Sequence, residues 1–254
     1  MSKLSYNFKG VTLLVTHYNR SRSLERLLNS FKNLNCVFED IVVSDDGSKP
    51  EHQDYLKSLQ SSLKFNLVTT EKNKGLGNNI NKGQDAVKTP FTLYVQEDFD
   101  PTDLFPSTFE KALKIINDKK EIDVVRFYAY FKYPHLKPLN DGFSLMDFKL
   151  WYPGYKKFYY YSDHPHLRRS DFFNKFGRYA EGEKVEKTEY KMMMSFLKKG
   201  GKGVFYDNYT NLFEQKNSSQ EPSTVKRNFW RESGAVAGLR HLYRHARFNF
   251  DYLF

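Results

Sequence analysis

Residues 11–31 read VTLLVTHYNRSRSLERLLNSF: an apolar run stops at Thr16, and after a short polar turn Leu24, Leu27, Leu28 and Phe31 recur at helical spacing. That is one strand followed by one helix. A second unit comes next, in which DIVVS at 40–44 runs into Asp45, Asp46, Gly47 and Ser48, and Tyr55, Leu56, Leu59 and Leu63 then share one helix side. FNLVTT at 65–70 leads through Asn73, Lys74 and Gly75 into a polar helix ending near Val87. The strand FTLYV at 91–95 then ends in Gln96, Glu97, Asp98, Phe99, Asp100 and Pro101. Short apolar strands alternating with helices are the signature of a parallel sheet covered on both faces. The expected fold is therefore α/β, a Rossmann-like, mostly parallel central sheet flanked by helices.

A helix near 106–117 and a strand IDVVRFYAY near 122–130 are expected to finish the sheet. Residues 131–165 are rich in Tyr, Phe, Pro and Lys, which suits an aromatic loop layer or short antiparallel strands on an acceptor side. A helix follows from about Val185 to Lys199, then the short strand KGVFY and an irregular loop over 207–225. The stretch 226–247 places Val236, Leu239, Leu242 and Ala246 on one side, with Arg240, Arg244 and Arg247 elsewhere, as in a basic amphipathic helix. The chain thus divides into an α/β half at 1–130, expected from its strand ends to hold the ligand, a second half of the same domain at 131–225, and a C-terminal helical segment at 226–254. That segment can rest on an anionic leaflet, dock on its own domain or pair with another subunit. Its modest apolar side favours docking on protein.

Composition removes several classes. With 254 residues, 39% hydrophobic and 28% charged, the chain buries a core without covalent staples. The single Cys36 makes no internal disulfide, and no Cys and His spacing suggests zinc, so a reducing, cytoplasmic setting is expected. No apolar run approaches the ~20 residues that span a bilayer, and the N-terminus lacks a secretory apolar stretch. The expected place is the cytoplasm, including the inner face of the cell membrane. Forty Lys and Arg against thirty Asp and Glu leave +10, which suits phosphate groups or anionic lipid. The basic and aromatic modules that read nucleic acid are absent, while 17% aromatic residues suit stacking on sugar rings.

In an open parallel sheet, ligands collect where strands end at the carboxyl edge. Asp45 and Asp46 follow one strand, and Glu97, Asp98 and Asp100 follow another, so both groups should share a rim. Crowded carboxylates repel unless a cation or donors intervene, and hard oxygen ligands suit Mg²⁺ or Mn²⁺. Such an ion keeps coordination positions for phosphate, which reconciles an acidic pocket with a basic chain.

Four blocks, VTLLVTHYNRSRSLERLLNSF, IVVSDDGSKPE, NKGLGNNINKG and FTLYVQEDFDP, resemble in order and spacing a family 2 glycosyltransferase of the glycosyltransferase-A fold. A later segment, FGRYAEGEKVEKTEYKM, is similar to the part of that family carrying the catalytic base. The resemblance implies that Thr16, Tyr18 and Asn19 line a nucleotide pocket, and that Asp45 and Asp46 contact base and ribose. It sets Asn73, Gly75 and Asn81 beside sugar and diphosphate. An Arg common in the family is replaced by Ile80, which leaves Lys74 or Lys82 to supply the charge. Gln96, Glu97 and Asp98 overlie the family's acidic triplet, with Glu97 beside the donor, Asp98 as metal ligand and Asp100 as a second. Glu189 matches the base, and Glu186 lies one turn earlier.

The implied activity is inverting transfer from a nucleotide sugar, UDP-linked, to a saccharide or lipid-linked acceptor in bacterial surface polysaccharide synthesis. The alternatives are a degenerate carbohydrate-binding or scaffold protein and a sugar-phosphate nucleotidyltransferase, although THYNRSRS does not resemble the basic glycine-rich loop of the latter. In YSDHPHLRRS, His166 reads as structural, and Asp163, His164, Arg168 and Arg169 stay outside the primary site. Met192, Met193 and Met194 read as core filling.

Overall fold

The computed structural model describes residues 5–216, 221 and 234–254, with side chains in the last stretch from 238 onward. Strands β1 (Tyr6–His17), β2 (Cys36–Asp45), β3 (Asn66–Val68) and β4 (Phe91–Gln96) pair in parallel in the order β3-β2-β1-β4. Between them run α1 (Ser21–Asn33), α2 (Pro50–Leu63) and α3 (Leu76–Asp85). Both faces of these strands are buried: Leu13, Val15, Val43 and Val95 join one core cluster, and Leu14, Val42 and Tyr94 join the other. That is why the strands read as continuous apolar runs. β1 and β2 begin earlier than their apolar centres suggest, with a register shift between Phe8 and Thr12 that spans Gly10 (φ +76°).

The second half departs from the simple expectation. After β5 (Phe99–Pro101) and α4 (Phe105–Asp118), β6 covers only Val124–Arg126, not the whole 122–130 stretch. Nor does it lie beside β4. β7 (Leu136–Pro138) and β8 (Phe143–Met146) form the far edge, and β9 (His166–Arg169) inserts antiparallel between β4 and β6. β9 is hard to read because its sequence is HLRR. Arg168 is nevertheless fully buried, donating from Nη2 to Gln84 Oε1 at 2.7 Å and lying 5.0 Å from the Phe172 ring centroid.

The remaining elements are α5 (Phe172–Phe176), α6 (Val185–Lys198), β10 (Gly203–Tyr206), β11 (Phe213–Gln215) and α7 (Gly234–Leu253). β10 extends the main sheet beside β6, and β11 makes a small antiparallel ribbon with β5. Met192, Met193 and Met194 on α6 are buried in the second core, as their spacing implies.

The C-terminal helix docks on its own domain, but not through the side the sequence suggests. Phe248 is buried against Phe158 (5.7 Å) and Tyr190 (4.9 Å), and Tyr252 meets Phe148 (5.2 Å). Leu239 and Leu242 stay 72% and 67% exposed, and the Val236 side chain lies outside the described residues. A helix read as ending at Arg247 leaves out the aromatic residues that anchor it. Among the described residues, no helix is long and apolar enough to cross a membrane.

Candidate active site

The carboxyl ends of β1, β2 and β4 open onto one cleft of about 520 Å³. Thr16, His17, Tyr18 and Arg20 line it after β1, Asp46 after β2, Asn73, Gly75 and Asn79 near the start of α3, and Gln96, Glu97 and Asp98 after β4. From the second half come Asp163, His164, Glu186 and Glu189. The two acidic strand ends therefore share one cavity.

Adjacent aspartates do different work here. Asp45 is fully buried and absent from the cleft lining, which corrects its expected contact with base and ribose. His17 Nδ1–H donates to its Oδ1 at 2.8 Å, while Ser48 N–H (3.1 Å) and the Thr69 hydroxyl (2.8 Å) donate to Oδ2. Burial opposes its charge, but these bonds prevail and hold the carboxyl at about 2. Arg20 N–H donates to His17 Nε2 at 3.1 Å, which fixes the neutral imidazole with its proton on Nδ1. Burial also holds the His17 pKa below its ordinary value.

Asp46 faces the cleft, and its two oxygens accept the Lys74 and Gly75 N–H groups, both at 2.9 Å. Burial raises its pKa against those bonds. Two glycines permit this packing. Gly47 has φ +64°, and a Cβ there would stand 2.5 Å from the Lys72 carbonyl carbon; a Cβ on Gly77 would stand 2.2 Å from the Ala180 oxygen.

Asn19 and Asn81 also support the cleft from outside its lining. Asn19, at φ 53°, accepts Lys49 N–H at 2.8 Å. Asn81 exchanges 3.0 Å bonds with the Tyr179 backbone and donates to Glu181 at 2.8 Å, tying α3 to the loop before α6. Their neighbours Tyr18 and Asn79 take the lining positions. Ile80 is core, and Lys82 donates to the Asp45 carbonyl. The buried cation that lines the cleft is Arg20.

Buried Arg20 places Nη1 3.4 Å from Asp98 and 3.6 Å from Glu97. Gln215 on β11 also donates to Asp98 Oδ2, at 3.0 Å. Asp100, expected as a second metal ligand, is turned to Arg26 (2.7 Å) and Lys216 (3.4 Å) and does not line the cleft. Strand alternation would put Asp98 and Asp100 on one face, but Asp98 lies in the turn that ends β4 while Asp100 lies within β5, which packs against α1, so the two part company.

Burial and the neighbouring Asp98 charge push Glu97 up to about 8, even with Arg20 beside it. Among the described residues no three His, Cys, Asp or Glu side chains converge on a metal position. The Glu97–Asp98 pair offers oxygen donors of the kind a hard divalent ion takes when it completes its coordination with phosphate and water.

Glu189 on α6 lines both the main cleft and a smaller aromatic recess of about 100 Å³ walled by Ala129, Phe131, Tyr133 and Tyr159. Its Oε1 accepts Asp163 N–H at 3.1 Å. Burial raises its pKa, and the Arg126 charge opposes that rise. Burial together with the Glu189 charge pushes Asp163 up to about 8, so near neutrality Asp163 keeps its proton. His164, held at about 3 by burial and by Arg126, is neutral. Sequence reading set Asp163 and His164 aside and did not single out His17, Arg20, Asn79 or Gln215. Position at a strand end marks His17 and Arg20; nothing in the local sequence marks Gln215.

The sequence profile described as Glycosyl transferase family 2 matches residues 12–179. The chain belongs to glycosyltransferase family 2. Within that family it is 25% identical over 123 residues to the putative glycosyltransferase EpsH of Bacillus subtilis, which covers 48% of this chain and 35% of EpsH. It is 23% identical over 90 residues to poly-β-1,6-N-acetyl-D-glucosamine synthase of Staphylococcus aureus, covering 35% of this chain and 22% of that one. The chain thus spans about a third or less of these curated relatives. The fold matches S. aureus TarS, solved with UDP-GlcNAc, at TM-score 0.60 and 17% identity, over 85% of this chain and 61% of that one. It also matches mannosyltransferase PcManGT of Pyrobaculum calidifontis, solved with GDP-Man and Mn²⁺, at TM-score 0.56 and 14% identity, over 92% and 62%. The nine-stranded sheet and its flanking helices are the glycosyltransferase-A fold of this family.

Proposed function

We propose that this chain transfers a sugar from a nucleotide-sugar donor, UDP-linked, to a hydroxyl of a saccharide or lipid-linked acceptor, with inversion, in the building of a bacterial surface polysaccharide. The observation that carries the proposal is the single cleft in which Asp46, the Glu97–Asp98 pair and Glu189 meet. The TarS complex with UDP-GlcNAc supports a UDP-linked donor.

In this reading Thr16, Tyr18, Asp46, Asn73 and Gly75 form the nucleotide side. Asp45, Asn19 and Asn81 hold that side in shape. Mg²⁺ or Mn²⁺ would be held by Asp98, with Glu97 beside the donor, and would supply charge stabilisation to the departing diphosphate. Arg20 reaches the same carboxylates and offers its guanidinium to phosphate oxygen.

The aromatic recess offers ring faces to an acceptor sugar, with Glu189 at its junction with the cleft. Glu189 takes the acceptor hydroxyl proton as oxygen bonds to the anomeric carbon, and the carbon–oxygen bond to phosphate breaks with its electron pair leaving on the diphosphate. Direct displacement of this kind inverts the anomeric centre. Glu186, exposed on the cleft wall, is the substitute candidate for base.

The test is a calorimetric screen of nucleotide sugars against the full chain with and without Mn²⁺, repeated on Asp98→Ala. A UDP-sugar should bind, more tightly with Mn²⁺, and the substitution should remove the metal-dependent part. Arg20 already offsets the acidic pair, which favours a second reading as a carbohydrate-binding protein without turnover. Donor binding that never leads to UDP release would select that reading.

A further inference from the structure

Among the described residues, five of the eleven strongly exposed large apolar side chains lie on α7, Leu239, Leu242, Tyr243, Phe250 and Leu253, and a sixth, Phe254, directly follows it. At 100° per residue they fall within one sector, opposite the sector where Phe248 and Tyr252 dock on the domain. The helix is apolar on two sides. Its inner stripe is explained by packing, and its outer stripe leaves Phe250 62% and Phe254 85% exposed. Arg240, Arg244 and Arg247 occupy one flank between the two stripes.

We propose that this outer face of α7 seats the protein on an anionic lipid surface. The flanking arginines match phosphate headgroups, while the Leu and Phe stripe enters the boundary between headgroups and acyl chains. A second copy of the chain is the poorer occupant. Each copy carries +10, and stacking two such faces brings the two arginine flanks together without a compensating acidic strip. The single acid on this flank, Asp251, is 3.5 Å from Arg247 and accepts from Tyr190 within the same chain.

The position of α7 gives the seat a use. Phe248 contacts Tyr159, which lines the aromatic recess, and Tyr190, which follows Glu189. One side-chain layer therefore separates the docked helix from the acceptor side of the cleft. Resting on the outer face of α7 would hold the recess close to headgroup level, where a lipid-carried saccharide presents its reactive end. This use, though not the seating itself, rests on the transfer reading above.

The experiment is co-sedimentation of the full chain with vesicles of phosphatidylcholine alone or mixed equally with phosphatidylglycerol. Binding should appear on the mixed vesicles and fall steeply at high salt, where screening shortens the reach of the arginines. Leu242→Glu with Phe250→Glu should weaken it by about tenfold or more, because two apolar side chains are lost to charge. Circular dichroism should be unchanged in that variant, since both side chains point outward. Equal binding to neutral vesicles, no binding to either, or binding unaffected by the double substitution would overturn the proposal. A concentration-dependent dimer abolished by the same substitutions would overturn it in favour of the second copy. No donor or turnover is needed, so failure of the transfer reading and failure of the membrane seat give separate results.

Discussion

The rim built from residues 11–101 and the aromatic side built from residues 122–206 face the same cleft, but the β2 end of the rim and the aromatic side handle charge in opposite ways. At the β2 end of the rim, buried charge is saturated: Asp45 accepts from His17, Ser48 and Thr69, and Asp46 accepts two backbone N–H groups, whereas Glu97 at the β4 end is pushed up to about 8. On the aromatic side, charge is left short of partners. Arg126 donates to Tyr159 O and Ser162 Oγ, both at 2.7 Å, and Asp163 Oδ2 has no hydrogen-bond partner. Saturation fixes the end of β2 in shape. Partly satisfied, pKa-shifted groups are what acid–base chemistry requires.

The difference can be tested by breaking each side in turn. Glu189→Gln should lower transfer, read as UDP release, by about 10²–10⁴-fold while donor affinity changes little. Unchanged turnover would move the base assignment to Glu186.

Asp45→Asn should act instead on the fold, at a cost of about 2–4 kcal/mol in urea unfolding, because a buried hydrogen-bonded carboxylate and its imidazole lose their match. This carboxyl lies lower in the folded chain than in the unfolded one. Its contribution is present above the ordinary carboxylate range and disappears as pH falls toward about 2.

Arg126→Met should raise the pKa of Glu189 by removing the cation that opposes its upward shift. The acid limb of the pH–rate profile should then move to higher pH, with donor affinity unchanged. A merely structural role for Arg126 would lower activity at every pH and leave the limb in place.

Glu97 and Asp163, both at about 8, work in the reverse sense to Asp45. The folded chain keeps protons that the unfolded chain releases in the ordinary carboxylate range, so stability should decline as pH rises from about 4 to about 8. Asp163→Asn should flatten this decline in urea midpoints measured across that window.

The same contrast explains what the sequence made legible. Two-sided burial writes β1, β2 and β4 as apolar runs, and their carboxyl ends mark Asp46, Glu97 and Asp98 without further help. Adjacency in sequence could not separate Asp46, facing the cleft, from Asp45, facing His17, because a strand end gives no rule for which side chain turns inward. Asp100 was misplaced for a related reason: its β5–β11 pairing joins segments more than a hundred residues apart. β9 was missed because arginine buried against Gln84 and an aromatic ring looks like surface charge in a linear reading. Asp163 and His164 sit in a loop with no period at all, and only the folded chain brings them to Glu189.

The division of labour is tested most directly by amide hydrogen exchange on the full chain, with UDP and Mn²⁺ added in the absence of acceptor. Protection should appear at the β1 and β2 carboxyl ends, the start of α3 and the 96–98 segment, and should leave 126–133 and 159–164 unchanged. Protection centred on those two aromatic segments, or none at the strand ends, would contradict the account.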